Sequence, residues 1–134
     1  MDIEADLRSY FVVLDKLDYV YFAFLKPNQH PERDYLIAKL IKKDIQSIQA
    51  RQQDGSSLNM LVELTAIGQD KNLFAEARDI YFEIAQKLIM GKIAVVGHGS
   101  LYKFLTATFA FALDPHRFAW FTSRDQAENW LLGT

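Results

Sequence analysis

The hydrophobic pattern opens with two short runs, Tyr10-Phe11-Val12-Val13-Leu14 and Tyr19-Val20-Tyr21-Phe22-Ala23-Phe24-Leu25, separated only by Asp15-Lys16-Leu17-Asp18. Both are rich in aromatic and β-branched residues, and so short a connection closes a hairpin, which predicts antiparallel pairing. The second run has no polar residue on either alternate face. Such a strand belongs inside a sheet, covered on both sides. Pro27 ends it, and Pro31 suits the first turn of a helix, where a missing N–H needs no partner.

From Glu32 to about Gln53 the apolar positions are Leu36, Ile37, Leu40, Ile41, Ile45 and Ile48, with Lys39, Lys42, Lys43 and Asp44 on the wet side. That spacing predicts a helix, and Gly55 a stop after it. Leu58–Leu64 reads as a third strand. Leu73, Ala77, Ile80, Ile84 and Leu88 mark a second helix ending near Gly91, and Lys92–Gly97 is a short buried strand of the parallel type. Ser100–Leu113 reads as a third helix, stopped before Asp114-Pro115 because a residue preceding proline resists the helical conformation. Phe118–Phe121 is the last strand. Ser123 and Gln126 form a capping box for a final helix carrying Ala127, Trp130 and Leu131, with Trp130 expected as its core anchor.

The order ββαβαβαβα predicts an α/β fold: a five-stranded mixed sheet with an N-terminal antiparallel hairpin and four helices. Its later strands should be parallel and joined by right-handed crossovers. With 134 residues and 50% of them hydrophobic, the chain has the size and content of a single domain over residues 1–134. Fifteen Lys+Arg against 17 Asp+Glu give a net charge of -2, which offers no general attraction to nucleic acid. No cysteine is present, so thiolate metal sites, disulfides and cysteine catalysis are excluded. The start, Met1-Asp2-Ile3-Glu4-Ala5-Asp6, is acidic where a signal peptide is basic. The longest strongly apolar stretch, Phe104–Leu113, falls short of a membrane span. The expectation is a cytoplasmic protein.

Lys92-Ile93-Ala94-Val95-Val96-Gly97, Arg117-Phe118-Ala119-Trp120-Phe121 and Gln126-Ala127-Glu128-Asn129-Trp130-Leu131 together resemble the SpoIIAA-like family of bacterial STAS-type domains, whose members close with a similar strand and a helix of the form "eAxxWL". The resemblance covers nearly the whole chain. It implies a right-handed β-α superhelix with strands in sequential order, related to anti-sigma-factor antagonists, anion-transporter tails and Sec14-type lipid-binding domains. Fold alone does not give function. Anti-sigma-factor antagonists carry a phosphorylatable serine in an Asp-Ser-Ser/Thr-Gly segment, where this chain reads Gln69-Asp70-Lys71-Asn72-Leu73. Glu63-Leu64-Thr65-Ala66 matches the preceding strand end passably, but the later segment has no hydroxyl to accept a phosphate. The departure argues against partner switching by phosphorylation.

Gly97-His98-Gly99-Ser100 lies between a parallel strand and a helix start, where free N–H groups favour an anion. The same residues also serve simply as a tight turn and an N-cap. The segment is neither a nucleophile elbow nor a P-loop. His30, His98 and His116 have no metal-ligand spacing, and no residue set points to a cofactor. Lys39, Lys42 and Lys43, with Arg51 beyond, read as a solvated face balanced by Glu76, Asp79 and Glu83 on the next helix. In Ser100–Leu113, Leu101, Leu105, Thr108 and Ala112 centre an apolar arc flanked by Tyr102, Phe109 and Leu113 on one side and by Phe104 and Phe111 on the other. The arc is about 200° wide, twice what packing on a sheet requires. A neighbouring helix, a second subunit or an apolar ligand must cover the rest.

The leading reading is therefore a non-catalytic binding or regulatory module that takes a protein partner or a small apolar or anionic ligand near Gly97, His98, Gly99, Ser100, Tyr102 and Phe104. A homodimer through Phe104, Phe109 and Phe111 is the accompanying expectation. The competing readings are a small-substrate enzyme with His98 as acid and base and a partner switch of the anti-sigma-factor-antagonist type, which the missing hydroxyl disfavours.

Overall fold

The structure is a computed structural model that describes residues 3–27, 30–52, 58–67, 75–89, 91–98 and 114–133. Five strands form one sheet in sequential order: β1 (Phe11–Asp15), β2 (Val20–Phe24), β3 (Met60–Glu63), β4 (Ile93–Val96) and β5 (Phe118–Phe121). β1 pairs antiparallel with β2, and every later pair is parallel, with Val20 opposite Met60, Met60 opposite Ile93, and Ile93 opposite Phe118. The expected architecture holds, with strand ends within one or two residues of those predicted. β2 is buried on both faces, as its unbroken apolar run requires.

α2 (Pro31–Ala50) and α3 (Ala75–Glu83) pack on one face. α2 contributes Ile37, Ile41, Ile45 and Ile48 to a core that includes Val20, Phe22, Met60, Ile93 and Val95. α4 (Arg124–Leu132) covers the other face, where Ala127 and Leu131 meet Tyr19, Tyr21, Leu61, Ala94 and Val96. The Ser123 side chain accepts from the Gln126 N–H at 3.2 Å, so the predicted N-cap is in place. The predicted Ser100–Leu113 helix lies outside the described residues.

Three features depart from the sequence reading. A short helix, α1 (Ile3–Arg8), precedes β1. Six residues cannot hold a helix alone; this one is held by buried Leu7 and by the Arg8 fork on Asp44, at 2.8 and 3.0 Å. α3 ends by widening into π-helical turns over Ile84–Leu88, closed by Ile89 N–H donating to Ile84 O at 2.9 Å. Arg117 satisfies carbonyls left around that end, donating to Gly91 O at 2.8 Å, to Ala85 O at 3.0 Å and to Ile89 O. Trp130, expected as a core anchor, is only half-buried. Ala127 and Leu131 point inward, which turns Trp130 to the rim, against Phe121 at 5.8 Å and under the Lys92 ammonium at 5.2 Å.

The lysine face behaves as expected in part, since Lys42 pairs with Glu83 of α3 at 2.9 Å. That bond holds the Glu83 carboxyl below its ordinary range.

Candidate functional site

The strand carrying the predicted glycine turn runs through the middle of the parallel set. Its exit is fixed by two backbone bonds: Leu64 N–H donates to Val96 O at 2.8 Å, and Gly97 N–H donates to Phe121 O at 3.1 Å. Gly97 is buried by this arrangement, and His98 emerges exposed beyond it. Gly99, Ser100, Tyr102, Phe104, Phe109 and Phe111 lie outside the described residues. Open α/β sheets usually bind ligands where strand order reverses. The order β1-β2-β3-β4-β5 never reverses, so a crevice of that kind does not arise. Beside this edge, β4 and β5 turn one face towards the cluster that α2 and α3 cover.

That face is aromatic. Phe118 and Trp120 of β5 lie on it half-buried beside Ile93 and Val95, and towards β2 it continues through Phe22, Phe24 and Tyr81. The Tyr81 ring stacks on Phe22 at 6.3 Å and meets Phe24 edge-on at 6.4 Å. Its hydroxyl is buried and makes no hydrogen bond among the described residues. Burial raises its pKa well above the usual 10.0, and the charge of Asp34 adds to the rise. Asp34 is 1% exposed in the first turn of α2, where the helix dipole favours a negative charge. Asp34 and the Tyr81 hydroxyl are thus buried polar groups on neighbouring helices, near enough for the charge of one to act on the other.

The sequence analysis did not single out Asp34 or Tyr81. Both sit on their helices' apolar stripes, Asp34 ahead of Ile37, Ala38 and Ile41, and Tyr81 between Ala77 and Ile84. A polar residue on a buried stripe was the available signal.

The opposite face carries a closed polar network. The Tyr19 hydroxyl and the Arg124 Nε both donate to Glu128 Oε1, at 3.0 and 2.8 Å. The Arg124 guanidinium lies over the Tyr21 ring at 4.4 Å, and the Tyr21 hydroxyl donates to Glu63. Desolvation first, and that bond second, push the Tyr21 pKa up to about 12. These groups satisfy one another, so the network serves to fasten α4 to β2 and β3. His30 begins α2, His116 lies in the turn before β5, and His98 follows β4. Among the described residues no cluster of His, Asp or Glu could hold a metal ion, and no helix is long and apolar enough to cross a membrane.

The family model described as SpoIIAA-like matches residues 32–132. Among solved structures, an uncharacterized protein of the DUF3478 family with a SpoIIAA-like fold from Shewanella loihica is similar, with a TM-score of 0.60 at 20% identity over 90% of this chain and 91% of that one. At that identity the likeness concerns the fold. No curated protein matches.

Proposed function

The chain belongs to the SpoIIAA-like family, and we propose that it works as a non-catalytic binding module of the bacterial cytoplasm, taking a small ligand with an apolar body and an anionic end. The ligand lies beside β4 and β5 on the face of the sheet that α2 and α3 cover. Its apolar body rests on Phe118 and Trp120 and its anionic end meets the exit of β4 at Gly97 and His98; Gly99, Ser100, Tyr102 and Phe104 are assigned to the same site from the sequence alone. The half-burial of Phe118 and Trp120, beside the buried Ile93 and Val95 of β4, carries this reading. The wide apolar arc read from Ser100–Leu113 supports it, because such an arc exceeds what one sheet can cover.

The experiment is a fluorescence titration of Trp120 in a Trp130→Phe background, with decanoate as the probe. Decanoate offers a flexible apolar chain and one carboxylate. A saturable change in emission is expected, weakened by Phe104→Glu. No change up to the probe's solubility limit would overturn the reading. The other cover for the same arc is a second copy of the chain meeting it through Phe104, Phe109 and Phe111. In that case Phe104→Glu shifts the protein toward monomer and leaves decanoate without effect.

A further inference from the structure

Between α1 and α2 runs an open groove of about 440 Å³, lined by Ile3, Glu4, Leu7, Leu36, Lys39, Leu40 and Lys43. Leu7 and Leu40 form its floor. Ile3, 68% exposed, and Leu36, 43% exposed, stand apolar at its edges. Lys39 and Lys43, one helical turn apart and both exposed, make the rim on α2 and form no ion pair among the described residues. Beyond Leu7, Arg8 of α1 forks on Asp44 of α2. The groove is apolar along its length, basic on the α2 side and acidic at Glu4 on the α1 side.

The chain carries the complement of this groove on α1. At helical spacing Ile3 and Leu7 point together, and Glu4 and Asp6 flank them on either side. Leu7 is committed to the core, which leaves Ile3 as an exposed apolar knob between two exposed acids, Asp6 and Glu4, the latter also within 3.4 Å of Arg8 Nε. We infer that the occupant is α1 of a second copy of this chain, related by a two-fold axis. Ile3 of each protomer inserts against Leu36 and Leu40 of the other, and Glu4 and Asp6 face the partner's lysine rim. One patch then covers itself twice, as an isologous contact requires. The pairing uses none of the residues assigned to the ligand, so the two readings stand or fall separately.

Charge reversal tests this in a way that a folding defect cannot imitate. The Lys39→Glu/Lys43→Glu variant sets acid against acid in both contacts of its own dimer, and the Glu4→Lys/Asp6→Lys variant sets base against base. Mixing the two restores opposite charges at both contacts. Sedimentation equilibrium at high micromolar concentration is expected to give a dimer for the natural chain, monomers for each variant alone, and heterodimers for the equimolar mixture. Circular dichroism confirms that each variant is folded; should either reversal unfold, Leu36→Glu replaces it and must give a folded monomer. A natural chain that stays monomeric, variants that remain dimeric, or a mixture that stays monomeric each overturn the inference.

Discussion

Arg117 is the residue whose loss should reveal most about how the fold is held. Around the π-turns that end α3, one guanidinium collects Ala85 O, Ile89 O and Gly91 O. It thereby fastens the end of α3 and the entry to β4 onto the start of β5. Arg117→Met keeps the apolar stem and removes every donor. A hydrogen bond to a charged group contributes about 1.5–3 kcal/mol, but Arg117 is partly exposed and water can replace some of what is lost. The net loss should therefore be about 2–4 kcal/mol rather than the sum of three such bonds. For a domain of this size that corresponds to a fall in thermal midpoint of roughly 6–15 °C. Urea unfolding followed by circular dichroism measures the loss, and hydrogen exchange locates it. The Ile89 amide, which closes the last π ring, should exchange faster in the variant. Arg117→Lys should recover only part of the stability, because one ammonium cannot reproduce the fork. A loss below about 0.5 kcal/mol for Arg117→Met, the scale of an ordinary surface change, would refute the reasoning.

Other substitutions probe separate parts of the account. A β-carbon at Gly91 would lie 2.7 Å from Leu58 O and 2.2 Å from Asn59 Oδ1, so Gly91→Ala should cost about 1–3 kcal/mol in urea unfolding. Because Trp130 sits at the rim, Trp130→Ala should cost about 1.5–2.5 kcal/mol, below the roughly 3–5 of a fully buried aromatic; a larger loss would restore it as a core anchor. Tyr21 has a folded pKa of about 12 against an ordinary 10.0. The stability this shift contributes is present in full below the unfolded value and is lost as pH rises through the folded one. Alkaline unfolding should therefore steepen between those two values, and Tyr21→Phe should flatten that slope in urea midpoints measured across the range.

Much of the fold was legible because each strand and helix carries its own period. The apolar run of β2 announced an interior strand, and the isoleucines of α2 announced the face it buries. α1 escaped because two apolar positions, Ile3 and Leu7, are too few to register as a period, and its stability comes from Arg8 meeting Asp44, distant in the chain. The π end of α3 escaped for a similar reason. Helical spacing continues through Ile84 and Leu88, and the change shows only in hydrogen bonds, that of Ile89 N–H to Ile84 O and those from Arg117. Of the candidate site, the sequence located the turn after β4 but missed Asp34 and Tyr81. Their polar atoms occupy positions that a hydrophobic pattern passes over as interruptions.

Native mass spectrometry of freshly purified protein tests the central claim, that this is a binding module, most directly. The account predicts a small-molecule mass retained on the folded protein, released on denaturation and absent from Phe104→Glu. Bare protein in every charge state, natural chain and variant alike, together with no response to decanoate, would contradict it.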